Sequence, residues 1–161
     1  MPRPAAQVRV LDAVFIDGLD FLTSAVSGLD ASDWERASPC EGWRTLDVLG
    51  HVGAAERFGT LLLLERQPAW SPADPSGSGV EGEPVAWWGA LVEPARRAVG
   101  GVDLAQVVDS PMGRRPVGEG LSFPALELFV HAWNLARSVG QDLEVPRTKP
   151  PDLRQPRSRP D

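Results

Sequence analysis

The sequence contains a single cysteine, Cys40, and no long apolar run. One cysteine excludes an internal disulfide and is typical of cytosolic proteins, so we expect a cytoplasmic protein. No wholly apolar run exceeds four residues, as at 61–64, whereas a membrane span needs ~20. Three aspartates interrupt the stretch 8–22, which therefore lacks the apolar region of a secretory signal.

Positive charge is also scarce. The 16 basic residues are outnumbered by 22 acidic ones, which gives a net charge of −6 at pH 7. An acidic chain without clustered cations is not expected to bind nucleic acid or an anionic membrane. Apolar content of 42% fits a soluble globular protein, and 161 residues suffice for one domain with a proper core. A monomer and a homodimer both remain open.

Only two histidines are present, His51 and His131, and both lie in apolar stretches of helical periodicity. Glu127 precedes His131 by four residues, so the two side chains share one helix face. A buried carboxylate is costly unless it is paired. Two histidines and a glutamate match the ligands of catalytic zinc sites and also the facial triad of non-haem iron(II). A hydrogen-bonded core histidine or a surface ion pair is the alternative, and spacing alone leaves both interpretations open.

Four amphipathic helices are predicted from apolar residues spaced three and four apart. Their ranges are 6–28, 45–66 with Thr45 as N-cap, 84 onward with a bend at Pro94, and 123–139 followed by Gly140. The inward face of the second helix is expected to carry six residues: Val48, His51, Val52, Ala55, Phe58 and Leu62.

Segments rich in proline, glycine and polar residues separate these helices. A long loop is predicted at 67–83 and a turn-rich segment at 110–120. Short helical turns are expected at 32–35, which has the S-x-x-E form of a capping box, and at 103–108. No convincing strand pattern is present, so the fold is expected to be all-α, an antiparallel helical bundle over residues 6–145. Residues 146–161 are rich in proline and arginine and are predicted to be a disordered tail.

Two segments resemble signatures of a known family, the mycothiol-dependent maleylpyruvate isomerase N-terminal domain family of the DinB-like metalloprotein superfamily. The first is Ser38-Pro39-Cys40-Glu41-Gly42-Trp43 followed by Leu46-Asp47-Val48-Leu49-Gly50-His51. The second is the stretch from Leu128 to Gly140, and 110–113 resembles the turn before the last bundle helix. Together the resemblance covers about residues 8–145.

This resemblance implies an up-down-down-up four-helix bundle. It also implies a divalent metal, usually zinc, held by His51, Glu127 and His131, with mycothiol as a thiol cofactor. Trp43 and Trp133 lie beside the proposed ligands in the sequence and are expected to line the pocket.

Two further residues near the signatures are interpreted individually. Asn134 stands where the family commonly has aspartate, which is expected to weaken a contact that supports a ligand. Cys40 is interpreted as a small packed residue, since no basic neighbour in the sequence would activate its thiol.

The function expected from this resemblance is that of a metal-dependent transferase or isomerase. Mycothiol, activated as a metal-bound thiolate, would attack an electrophilic carbon of a small-molecule substrate. No catalytic residue is predicted beyond the metal ligands. The alternatives are a non-catalytic or degenerate metal-binding bundle and a metal-assisted hydrolase.

Overall fold

The computed structural model describes residues 5–63, 77–109 and 113–144, without the side chains of 5–11 and 62. Much of the predicted loop 67–83 and the whole predicted tail 146–161 lie outside the described residues. Short 3₁₀ helices span Asp33–Glu35 and Gly77–Gly79. The remaining elements are α1 Ala5–Ser27, α2 Thr45–Leu63, α3 Pro84–Gly101, β1 Val107–Val108, β2 Arg115–Pro116, α4 Val117–Gly120 and α5 Ser122–Ser138.

The helix α5 runs parallel to α1 and shares a long interface with it. A Cβ built on Gly18 would meet Leu128 at 3.0 Å, and one on Gly28, just past α1, would lie 3.9 Å from Gln141, just past α5. The absence of a side chain at Gly18 therefore allows α5 to approach α1 closely.

The helices α2 and α3 run opposite to that pair. Arg36, which precedes α2, donates from Nε to the carbonyl of Ser138 at the end of α5 (3.1 Å). Near the start of α3, Trp88 donates from its indole nitrogen to the Thr23 hydroxyl, near the end of α1 (2.9 Å). The four long helices thus form the predicted up-down-down-up bundle, and the all-α fold class is confirmed.

The core is a single apolar cluster between the four long helices. On α1 the buried stripe Phe15, Leu19, Leu22 and Val26 has the predicted helical spacing, with at most 4% of each residue exposed. It packs with the largest fully buried side chain, Trp88 of α3, and with leucines of α5. α3 continues through Pro94 to Gly101 as one helix. No helix among the described residues combines the length and the apolarity that crossing a bilayer requires.

The predicted capping at two helix starts is wrong in detail. The Thr45 hydroxyl does not cap α2 but donates to the carbonyl of Arg36 (3.0 Å). Asp47, in the first turn, instead accepts the backbone N–H of Arg44 (2.8 Å). At 32–35 the predicted short helix is present, but Ser32 makes no side-chain cap. A carboxylate one turn inside a helix can satisfy a free amide as well as a hydroxyl at its start.

A small antiparallel sheet was not expected. Val107 pairs with Pro116 and Val108 with Arg115, so the predicted helical turn at 103–108 is wrong in its second half. The chain turns at 103–106 and then extends, as β-branched residues favour. The last part of the predicted turn-rich segment 110–120 is helical, because it forms α4.

Candidate metal centre

The antiparallel helices α2 and α5 bring His51, Glu127 and His131 together. Nε2 of His131 lies 3.0 Å from Oε2 of Glu127, and Nε2 of His51 lies 3.8 Å from the same oxygen. One potential ligand atom from each of the three residues lies within 4.8 Å of the others. The imidazole rings are edge-to-face, with centroids 5.1 Å apart. Residues up to 80 positions apart in the sequence therefore form one cluster of three donors.

The cluster is buried on one side and open on the other. The His131 side chain is 10% exposed, whereas those of His51 and Glu127 are 21% and 26% exposed. Within the described residues no fourth histidine, cysteine or carboxylate joins this group. Structural zinc sites are usually closed by four protein ligands, and catalytic sites usually have three and one open position. The exposure and the donor count correspond to the second kind.

The inner side of the His131 ring is supported by Asn134. The Asn134 amide nitrogen lies 3.3 Å from His131 Nδ1 and 3.4 Å from the Cys40 sulfur. In this orientation the amide donates to Nδ1, so a neutral His131 carries its proton on Nε2 and donates it to Glu127. Binding a cation through Nε2 requires the proton on Nδ1, and the Asn134 amide must then turn to present its oxygen.

The loop before α2 carries Cys40 and Trp43 to the same region. Ser38 N donates to the carbonyl of Trp43 (2.9 Å), and Trp43 N donates to that of Cys40 (3.0 Å). Gly42 has φ +77°, in the left-handed region that favours glycine. The Trp43 ring meets the His51 ring edge-on, with centroids 5.1 Å apart.

Trp133, which was also expected beside the ligands, lies elsewhere on its helix. It is 41% exposed, and its ring stacks under the guanidinium of Arg137, 5.8 Å from the ring centroid. That it lines the pocket stays a prediction. The contact between Cys40 and Asn134 was not expected either, because the two residues are 94 positions apart.

The start of α2 is fixed by a buried carboxylate. Asp47, 5% exposed, accepts hydrogen bonds from the Arg44 backbone, the Arg44 guanidinium and Gly77 N. Burial alone would raise the pKa of Asp47, but the bonds from Arg44 outweigh that effect and lower it. The ionised Asp47 therefore holds the first turn of α2, one turn before His51, against the segment at 77–79.

Glu56 is a buried charge that the sequence analysis missed. It lies one turn after Val52 on the inward face of α2 and is 5% exposed. Desolvation raises its pKa from 4.5 to about 8, so the side chain is mostly protonated at neutral pH. The only sequence signal for its burial was its position four residues after Val52, which places both residues on the same face of the helix.

A family model matches most of the chain. The model of the mycothiol maleylpyruvate isomerase N-terminal domain matches residues 16–136, most of the chain and all three residues of the cluster. No curated protein matches the chain.

Two solved structures share the architecture. A crystal structure of the mycothiol-dependent maleylpyruvate isomerase is 16% identical with a TM-score of 0.66, covering 80% of this chain and 60% of that one. A second crystal structure of that isomerase, with one histidine replaced by alanine, is 15% identical with a TM-score of 0.67 and the same coverage. The likeness shows the fold, and the chain spans 60% of the length of those structures.

Proposed function

The chain belongs to the mycothiol maleylpyruvate isomerase N-terminal domain family, and on that premise we propose that it is a metal-dependent thiol transferase or isomerase. In this proposal His51, Glu127 and His131 hold a divalent cation, most often zinc in such sites, and mycothiol is the thiol. The observation that carries the proposal is the approach of one donor atom from each residue to within 4.8 Å of the others.

The donor set fits a divalent cation. Donor atoms about 2.1 Å from one cation in a tetrahedral arrangement lie about 3.4 Å apart. The distances from Glu127 Oε2 to the two histidine nitrogens, 3.0 and 3.8 Å, lie on either side of that value. Two neutral imidazoles and one carboxylate also leave a net positive charge on a bound dication, which favours an anionic fourth partner.

The residues around the three donors have distinct tasks in this proposal. Once its amide has turned, the Asn134 oxygen accepts a hydrogen bond from Nδ1–H of His131, and so directs Nε2 toward the cation. Trp43 packs against the edge of the His51 ring and restricts its rotation. The exposed side of His51 and Glu127 leaves room for the thiol and the electrophile.

The chemistry to be supplied is activation of a thiol. A bound divalent cation lowers the pKa of a coordinating thiol, so that the nucleophile is available as thiolate at neutral pH. None of the chain's other described residues is assigned as a general base. The same three donors would also suit a hydrolase with water in place of the thiol, and the experiments below separate the two.

The first experiment measures metal content. We expect the purified protein to bind one divalent cation per chain and the His51→Ala variant to lose it. Glu93→Ala, which removes an exposed carboxylate on α3, is the control. Helical circular dichroism shows whether each variant is folded. Equal metal content in the wild type and His51→Ala, or none in either, would refute the proposal.

The second experiment measures thiol chemistry. Metal-loaded protein is mixed with mycothiol and monobromobimane, and conjugation is followed by fluorescence against the same protein treated with a chelator. Faster conjugation that disappears with the metal supports thiol transfer. Ester hydrolysis without any thiol, together with no effect on conjugation, would favour the hydrolase.

A further inference from the structure

The outward-facing side of α5 is unusually apolar. Among the described residues, five large apolar side chains are clearly exposed, and four of them lie on this helix. They are Phe123 (54%), Leu126 (58%), Val130 (42%) and Trp133 (41%). The fifth is Val107 of β1, at 49%. We call the four residues on α5 the outer face.

The outer face has the spacing of a coiled-coil seam. Its members are three, four and three residues apart, which places them along one side of the helix. The pattern extends by four residues in each direction, to Glu119 and to Arg137. Between α4 and α5 only Leu121 intervenes, in right-handed helical conformation, and its N–H donates to the carbonyl of Val117 (3.0 Å).

The seam is self-complementary about a two-fold axis at the level of Leu128. Leu126 and Val130 lie two residues to either side of that position, and Phe123 and Trp133 lie five to either side. Glu119 and Arg137 lie nine residues to either side and carry opposite charges. In an antiparallel pair of such helices each residue would face its counterpart in the other copy.

We propose that the outer face of α5 is the interface at which two copies of this chain form an antiparallel homodimer. Leu126 contacts Val130 of the other copy, and Phe123 contacts its Trp133. Glu119 of each copy pairs with Arg137 of the other at both ends of the seam. A parallel arrangement would place like charges together at each end, which opposes it.

The guanidinium of Arg137 can accept this second partner. It already pairs with Asp142 of its own chain (2.8 Å), and its side chain is 46% exposed. Arginine has five N–H donors, so it can hold two carboxylates at once. The Arg137 guanidinium also lies over the Trp133 ring. A bond from this guanidinium to Glu119 of the other copy would therefore fix the orientation of the Trp133 ring against Phe123 of that copy.

A dimer at this face would also border the candidate metal centre. Glu127 directly follows Leu126, and its side chain projects about 100° further round the helix. The second copy would therefore stand beside the exposed side of the cluster. The proposal does not depend on metal binding or on thiol chemistry, because it rests on the seam alone.

The interface is expected to be a weak one. Stable dimers bury about 800 Å² per partner, more than one helix face usually supplies, so we expect dissociation constants in the micromolar range. Sedimentation velocity of the full chain from low micromolar to millimolar concentration should show a reversible monomer–dimer equilibrium. A sedimentation coefficient that stays at the monomer value throughout would overturn the proposal.

Two sets of variants locate the interface. Leu126→Glu should abolish association, while Val107→Glu, at a similarly exposed apolar site off the seam, should leave it unchanged. Both positions are exposed, so the fold should survive and can be checked by thermal unfolding. Dimerisation that withstands Leu126→Glu in a folded protein would place the interface elsewhere and refute the proposal.

Charge reversal tests the antiparallel pairing itself. Glu119→Arg and Arg137→Glu should each weaken association by about tenfold, because each change puts like charges at both ends of the seam. The double variant restores opposite charges and should recover most of the lost affinity. Losses that add in the double variant would contradict the pairing, because a purely structural role for either residue predicts no recovery.

Discussion

Replacing Glu56 by glutamine should change how the stability of the protein depends on pH. The carboxyl group is buried on the inward face of α2, and desolvation raises its pKa from 4.5 to about 8. Glutamine has nearly the same shape and cannot ionise. The variant therefore removes the titration and leaves the packing around Val52 in place.

The direction of the pH dependence follows from the number of protons that Glu56 binds in the folded and unfolded states. Between the unfolded pKa of 4.5 and the folded pKa of about 8, the folded protein holds a proton that the unfolded chain has released. Each pH unit in this window therefore lowers the free energy of unfolding by about 1.4 kcal/mol. The stabilisation from Glu56 is complete below the unfolded pKa and is lost as the pH rises through the folded pKa. From about pH 5 to about pH 7 the loss amounts to about 2.5 kcal/mol.

This loss of unfolding free energy can be measured by urea denaturation at each pH, with tryptophan fluorescence as the signal. The difference in unfolding free energy between Glu56→Gln and the wild type should shift in favour of the variant by about 2.5 kcal/mol over that pH range. Glu81→Gln is the control, since Glu81 is exposed, and its difference from the wild type should stay constant. All other ionisable groups are common to Glu56→Gln and the wild type, so their contributions cancel in the difference. Parallel pH profiles for Glu56→Gln and the wild type would show that the desolvation argument is wrong.

Two further substitutions probe the contacts around the candidate metal centre. Gly77→Ala should lower the unfolding free energy by about 2 kcal/mol in chemical denaturation, because a Cβ there would collide with Asp47 Oδ1. Gly79→Ala is its control, since a Cβ there meets nothing within 4 Å, and an equal effect of both variants would exclude the collision. Asn134→Asp should tighten divalent-cation binding by about tenfold in a competition titration with a chelator, because a carboxylate accepts a hydrogen bond from Nδ1–H of His131 without having to turn. Unchanged affinity would remove Asn134 from the support of the site.

The bundle and the shared helix face of Glu127 and His131 followed from local patterns. Helical periodicity in α1 and the four-residue spacing of Glu127 and His131 are properties of a single segment, so they are visible in the sequence. The approach of His51 to that pair depends on the antiparallel packing of α2 on α5. It was predicted from the family resemblance and not from spacing, because no local pattern encodes the distance between two helices.

The features that the sequence did not predict correctly also have physical explanations. The pairing of β1 with β2 was missed because each strand has only two residues, too few for an alternating pattern. Glu56 was left off the inward face because a charged residue is rarely buried without a partner. The cap at Thr45 failed because the amides of Asp47 and Val48 already donate to the carbonyl of Arg44, while the Thr45 hydroxyl donates to the carbonyl of Arg36.

Arg36 joins the two helices that carry the proposed ligands at one end only. Its guanidinium donates to the carbonyl of Ser138, the last residue of α5. Its own carbonyl accepts hydrogen bonds from the hydroxyl and the backbone N–H of Thr45, at the start of α2. Arg36 therefore links the start of α2 to the end of α5. Because His51 and Glu127 lie on these two helices, a contact outside the cluster contributes to the distance between two of the proposed ligands.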